Sequence, residues 1–220
     1  MLDMAKITTT KPVLILLYGF PGAGKTQFAL QLCEQMVATH VHDDRIREDL
    51  FETPTYSKDE SHIVSSLMAY MAGEFLRAGV SVVFDTNAMR LSQRKALRAL
   101  AKDAGAEVVL LWFQIDSEGA YARASHRDRR RVGDRHARRL NRNEFDEIIR
   151  AMQNPEGNEG YQVISGKHTF GSQKTALVRH LLDRRLILPN QNTAHIAKPA
   201  LVNMVPHPSE GSRRNINVIQ

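Results

Sequence analysis

The chain of 220 residues is long enough for one domain with an extension and for a sizeable buried core. Hydrophobic residues make up 42% and charged residues 25%, an ordinary globular balance, and the apolar run at 13–18 is far too short to cross a bilayer. One cysteine, Cys33, excludes an internal disulfide framework, and a net charge of +6 suits polyanionic partners.

Residues 1–11 lack the apolar centre and cleavage site of a signal peptide, so they are expected to be a loose leader on a cytoplasmic protein. The run at 13–18 is apolar without alternation, which predicts a strand covered on both faces, as in a parallel sheet. It leads into Gly19-Phe20-Pro21-Gly22-Ala23-Gly24-Lys25-Thr26, a Walker A loop with full spacing, and a helix is expected over 27–37. A short strand at 38–42 ends in Asp43-Asp44, and a helix follows at 45–51. Ser57 and Glu60 predict a capping box opening a long helix, with Ile63, Leu67, Met71 and Phe75 at four-residue spacing and a stop at Gly79. A third strand at 80–84 runs into Asp85-Thr86-Asn87, a helix at 92–104 ends at Gly105, and a fourth strand spans 107–113.

From residue 117 a helix begins that carries an arginine-rich stretch. Nine arginines and no lysine lie between Tyr121 and Arg142, and a turn at Gly133-Asp134 separates this helix from another starting at Asn143. A fifth strand at 161–164 and a closing helix at 173–185 complete the pattern. Strands alternating with helices predict a three-layer α/β domain with a five-stranded parallel sheet and an arginine-rich helical lid. Its expected divisions are a leader at 1–11, the domain at 12–187, and a C-terminal extension at 188–220, irregular or docked, where proline and asparagine replace periodicity.

The loop specifies chemistry. Gly19, Pro21, Gly22, Ala23 and Gly24 shape an anion nest at a helix N-terminus, Lys25 is placed to reach the β- and γ-phosphates of ATP, and Thr26 offers its hydroxyl to Mg²⁺. Phosphoryl transfer also needs an oriented acceptor and cations where charge accumulates. Asp44, at the end of the second strand, is the candidate general base, with Asp43 a competitor and a helix N-cap the plainer role. Arg47 is placed to bind an acceptor phosphate or to pair with Asp85. Asp85 ends an apolar strand, where a metal-supporting acid belongs, and Asn87 would steady its loop. Arg123 and Arg127, one turn apart on the expected helix, are candidate nucleotide-binding lid arginines, with Arg129 to Arg131 as substitutes. The histidines show no familiar zinc spacing, so no zinc site is expected.

The Walker A loop, Asp44-Arg45-Ile46-Arg47, Phe84-Asp85-Thr86-Asn87, and Arg123 with Arg127 together resemble the P-loop kinases of the AAA-type ATP-binding family, among them the 5′-kinase domain of phage polynucleotide kinase. Zeta-toxin-like and chloramphenicol-phosphotransferase-like kinases are more distant relatives. The resemblance spans residues 13–185 and implies that Lys25 and Thr26 hold ATP and Mg²⁺, that Asp44 is the general base and Arg47 faces the acceptor, and that Asp85 supports the site while Arg127 serves the lid. It leads to an expected ATP-dependent kinase acting on a hydroxyl, with a nucleic-acid 5′-OH as first acceptor. A small-molecule kinase and a nucleotide-dependent regulatory module are the alternatives.

Overall fold

The structure is a computed structural model that describes residues 6–86 and 90–189. Five strands, β1 (Val13–Gly19), β2 (Ala38–His42), β3 (Ser81–Asp85), β4 (Glu107–Gln114) and β5 (Tyr161–Ser165), form one parallel sheet in the order β2-β3-β1-β4-β5. The helices are α1 (Lys25–Gln35), α2 (Asp43–Leu50), α3 (Lys58–Arg77), α4 (Leu91–Asp103), α5 (Ser117–Ser125), α6 (Arg142–Ala151) and α7 (Phe170–Asp183).

Every residue of β1 is buried. Its side chains alternate between two cores because successive residues of a strand point to opposite faces. Val13, Ile15 and Leu17 join Phe28 and Leu32 of α1 and Leu177 and Leu181 of α7. Leu14, Leu16 and Tyr18 join Val64, Met68 and Leu76 of α3 and Leu97 of α4. The unbroken apolar run therefore marks the middle layer of three.

Several expectations are corrected. The leader is anchored from residue 6 on: Ile7 bridges Met36, Val37 N–H donates to the Ile7 carbonyl at 2.9 Å, and Thr10 N–H donates to the Leu186 carbonyl at 2.8 Å. The buried stripe of α3 is Val64, Met68, Ala72 and Leu76, one residue along from the expected face, and Ile63 is exposed. Ser57 Oγ caps α3 by accepting from Glu60 N–H at 3.2 Å, but the Glu60 carboxylate turns to other partners and the expected box stays half made. α2 starts at Asp43 after an N-cap at His42, so Asp44 lies inside the first turn and is not its cap. α5 ends at Ser125, which leaves Arg127 beyond the helix that carries Arg123. Asn87, and the extension beyond residue 189, lie outside the described residues.

In an open parallel sheet, ligands sit beyond the carboxyl ends of strands where the order reverses. Here that point is β1, flanked by β3 and β4. The Walker A loop leaves the end of β1, Asp43 and Asp44 follow β2, and Asp85 ends β3, so the topology brings the motifs to one edge.

Candidate active site

The loop between β1 and α1 needs glycine at two places for different reasons. Gly22 has φ +83°, and a Cβ there would stand 2.2 Å from the Ala120 carbonyl oxygen, so α5 packs directly on the loop. Gly24 has φ +94° with open space around it and is the N-cap of α1, where a left-handed residue turns the chain into the helix. Pro21 and Ala23 are buried in the turn.

Lys25 is 4% exposed, and its Nζ donates to the carbonyls of Gly19 at 2.8 Å and Phe20 at 3.0 Å. Burial lowers its ammonium to about 8 against the pull of Asp85, and the Arg127 charge adds to the lowering. Thr26, Gln27 and Gln31 of α1 line a cavity of about 860 Å³ with Gly22, Gly24, Lys25, Arg123, His126, Arg127, Arg131 and Lys167. Its rim is rich in cations, as a polyphosphate requires.

Two acids stand behind the loop. Asp85 is 2% exposed and opposite His42 in the β2–β3 ladder, with His40 Nε2 and its Oδ2 hydrogen-bonded at 3.2 Å. Burial opposes its ionisation, but the His40 hydrogen bond and the His42, His40 and Lys25 charges outweigh that and hold the carboxyl well below its usual range. Asp44 is buried as well. Desolvation and the Asp43 charge push it up to about 8, against the pull of Arg127 and Arg47. Asp43 is occupied otherwise: Oδ1 accepts from Asp44 N–H at 2.7 Å and Oδ2 from the Thr86 hydroxyl at 2.9 Å.

The arginines divide by partner. Arg47 does not pair with Asp85: its Nη1 donates to Glu60 Oε1 at 2.8 Å, its guanidinium covers one side of the Tyr56 ring, and its buried Nε has no partner. Arg123 Nη1 donates to the Gly166 carbonyl at 2.9 Å, which fixes α5 to the loop after β5. Arg127 is buried, donates to the Arg138 carbonyl at 3.0 Å, and adds its charge to those acting on both Lys25 and Asp44. The structure thus gathers Lys25, Thr26, Asp44, Asp85 and Arg127 around one end of the sheet and sets Arg47 aside on the α2–α3 wall.

A hard divalent ion fits this donor set. The Thr26 hydroxyl lines the cavity and Asp85 is an ionised carboxylate acting on the same lysine, which is the oxygen chemistry Mg²⁺ prefers.

A model of an AAA domain family matches residues 14–155 of the chain. The chain belongs to that family. No curated protein sequence matches this AAA-domain protein. Among solved structures it is similar to Kti12 of Chaetomium thermophilum in complex with ADP-AlF3, at 16% identity and TM-score 0.60, covering 80% of this chain and 100% of that one. A gluconokinase from Sinorhizobium meliloti aligns at 16% identity and TM-score 0.58, covering 79% and 94%. The Pnkp1/Rnl/Hen1 RNA repair complex aligns at 16% identity and TM-score 0.54, covering 69% of this chain and 46% of that chain. At these identities the likeness shows a P-loop kinase fold and no acceptor, and it does not single out a polynucleotide kinase as the relative.

Four residues escaped the sequence reading. Glu60 fits a capping rule in the sequence but holds Arg47, and Tyr56 sits at φ 57° with Arg47 and Arg138 against its ring. His40 and His42 show no familiar zinc spacing, yet their separation of two places both on one face of β2 beside Asp85.

Proposed function

We propose that this AAA-domain protein is an ATP- and Mg²⁺-dependent kinase that transfers the γ-phosphoryl group to an acceptor hydroxyl. The observation that carries the reading is the placement of a second buried acid, Asp44, beside Asp85 and within the charge field of Lys25 and Arg127. Phosphoryl transfer needs a residue beyond the metal-supporting acid to orient the nucleophile, and in a kinase an acid in that position takes the proton of the acceptor hydroxyl. In this reading Gly19 to Gly24 cradle the phosphates, and Lys25 leaves the loop carbonyls to bind the β- and γ-phosphates. Thr26 and Asp85 hold Mg²⁺, which neutralises phosphate charge. Asp44 takes the acceptor proton, and Arg123 and Arg127 close over the nucleotide.

The acceptor is the finer question. A nucleic-acid 5′-OH is the first acceptor expected from Asp44, Arg47 and Arg127 together with the basic segment, but most of the segment's arginines whose contacts are described are knitted into the protein. Arg129 binds Glu48, Arg138 binds Glu144 at 2.7 Å, and Arg142 binds Glu118 at 2.9 Å. Arg139 donates to the Arg127 carbonyl at 2.9 Å. Arginines so engaged offer little to a long phosphate backbone, which favours a compact hydroxyl compound such as a sugar or other metabolite. The gluconokinase fold neighbour is consistent with that choice.

Labelled ATP and Mg²⁺ incubated with a panel of sugars, nucleosides and 5′-OH oligonucleotides at graded salt tests this. Transfer to a small compound with little salt dependence is expected. Transfer confined to oligonucleotides, with affinity falling steeply in salt, would restore the nucleic-acid reading. ATP hydrolysis with no acceptor anywhere in the panel would favour the regulatory module.

A further inference from the structure

Beside the phosphate loop, β2 and β3 build a donor cluster whose two histidines phosphoryl transfer leaves unused. His40 and His42 lie on the same face of β2, and their rings stack 5.1 Å apart with an interplanar angle of 8°. Both Nε2 atoms approach one oxygen: Asp85 Oδ2 is 3.2 Å from that of His40 and 3.9 Å from that of His42. On its other side His42 Nε2 meets Asp43 Oδ1 at 3.9 Å and Asp44 Oδ2 at 4.0 Å. Three carboxylates therefore surround one buried imidazole tip, while the ammonium of Lys25 is tied to loop carbonyls.

We propose that His40, His42 and Asp85 form a binding site for a transition-metal dication of the zinc class, next to the Mg²⁺ that Thr26 holds with ATP and sharing with it the Asp85 carboxylate. The three donor atoms lie within 4.8 Å of one another. A tetrahedral zinc with bonds of about 2.1 Å places its ligand atoms about 3.4 Å apart. The His40–Asp85 spacing of 3.2 Å already meets this, and His42, at 3.9 Å from the same oxygen, has to draw in towards it. Asp43 stands within reach of a fourth position. Two imidazoles and one carboxylate suit zinc, cobalt or ferrous iron and discriminate against Mg²⁺, which takes oxygen ligands. Alternating strand geometry supplies both histidines from a rigid, hydrogen-bonded ladder, so the site is held by the sheet and not by a loop.

The competing account is a buried imidazole–carboxylate hydrogen bond that binds no ion. Metal-stripped full-length protein titrated with Co²⁺, in excess Mg²⁺ and without nucleotide, separates the two. One equivalent of cobalt is expected to develop the visible ligand-field bands of a low-coordinate, histidine-bound ion, and Zn²⁺ is expected to displace it. His40→Ala and His42→Ala should each lose those bands and at least about tenfold in affinity, with the circular dichroism spectrum retained. Thr26→Ala should keep both. If an alanine variant unfolds, His40→Gln and His42→Asn, which preserve most of the volume, are read in the same way. Absence of the bands at stoichiometric cobalt, their loss to Mg²⁺, or their survival in both histidine variants would overturn the site. Kinase activity enters none of these arms, so the result is independent of the phosphoryl-transfer reading.

Discussion

Glu60 ties the α2–α3 wall of the crevice together. Its carboxylate accepts from Arg47 Nη1 at 2.8 Å, Thr55 N–H at 2.7 Å, the Thr55 hydroxyl at 2.6 Å and Tyr56 N–H at 2.9 Å, which joins α2 to the turn before α3. Burial opposes its charge, but the hydrogen bonds from Thr55 and Arg47 outweigh that and bring the carboxyl from 4.5 to about 2. A carboxyl lowered on folding stabilises the protein above its unfolded value, and that stability drains away as pH falls through its folded value. Glu60→Gln leaves Arg47 buried without its counter-charge, so it should cost about 3 kcal/mol at neutral pH. The difference from wild type should shrink as pH falls from about 4.5 to about 2. Urea unfolding of both proteins across that range checks it, and a pH-independent gap would refute the assignment. Cys33, by contrast, is a packing residue: burial pushes its thiol up to about 11, which leaves little thiolate for chemistry.

At the scale of elements, α3 offers a sharp test because two neighbouring stripes of it are apolar. Ile63, Leu67, Met71 and Phe75 form one, and Val64, Met68, Ala72 and Leu76 the other, about 100° apart around a helix. Periodicity alone cannot choose between them; the sheet does, by accepting the second. Met68→Ala should therefore cost about 3 kcal/mol, whereas Ile63→Ala should stay within about 0.5 kcal/mol; chemical denaturation separates the two. Equal losses would mean that the first stripe also packs. The strands were legible because β1 and β3 carry short unbroken apolar runs, at 13–18 and 82–84, and the phosphate loop because its spacing is specific. The Arg47–Glu60 pair was not legible: the residues are thirteen apart on different helices, and the same glutamate also satisfied a local capping rule. The convergence of His40 and His42 on Asp85 was hidden likewise, since it depends on β2 pairing with β3 across an intervening helix hairpin.

For the molecule as a whole, the arginine-rich segment packs around a small core of its own beside the phosphate loop. Ala120, Ala124, Leu140 and Phe145 make its own core, and Phe20 of the phosphate loop packs on it, its ring 6.5 Å from that of Phe145. Glu48 of α2 latches the same segment from the acid side through His136 Nδ1 at 2.7 Å and through Arg129. Contacts thus join the phosphate loop, α2 and the arginine-rich segment, and Arg127 is a buried cation among them. Arg127→Ala should lower transfer roughly 1,000-fold, the scale of a lost phosphate-stabilising arginine, with a much smaller loss of ATP affinity. An equal fall in both would make Arg127 a binding residue only. No helix among the described residues is long and apolar enough to cross a membrane.

The central claim is that Asp44 accepts the proton of the attacking hydroxyl. Single-turnover transfer from γ-labelled ATP, measured for wild type and Asp44→Asn beside their ATP affinities, tests it most directly. The expected result is a loss of transfer of at least about 100-fold with ATP affinity unchanged within a few-fold. Wild-type rates of transfer in Asp44→Asn would contradict it.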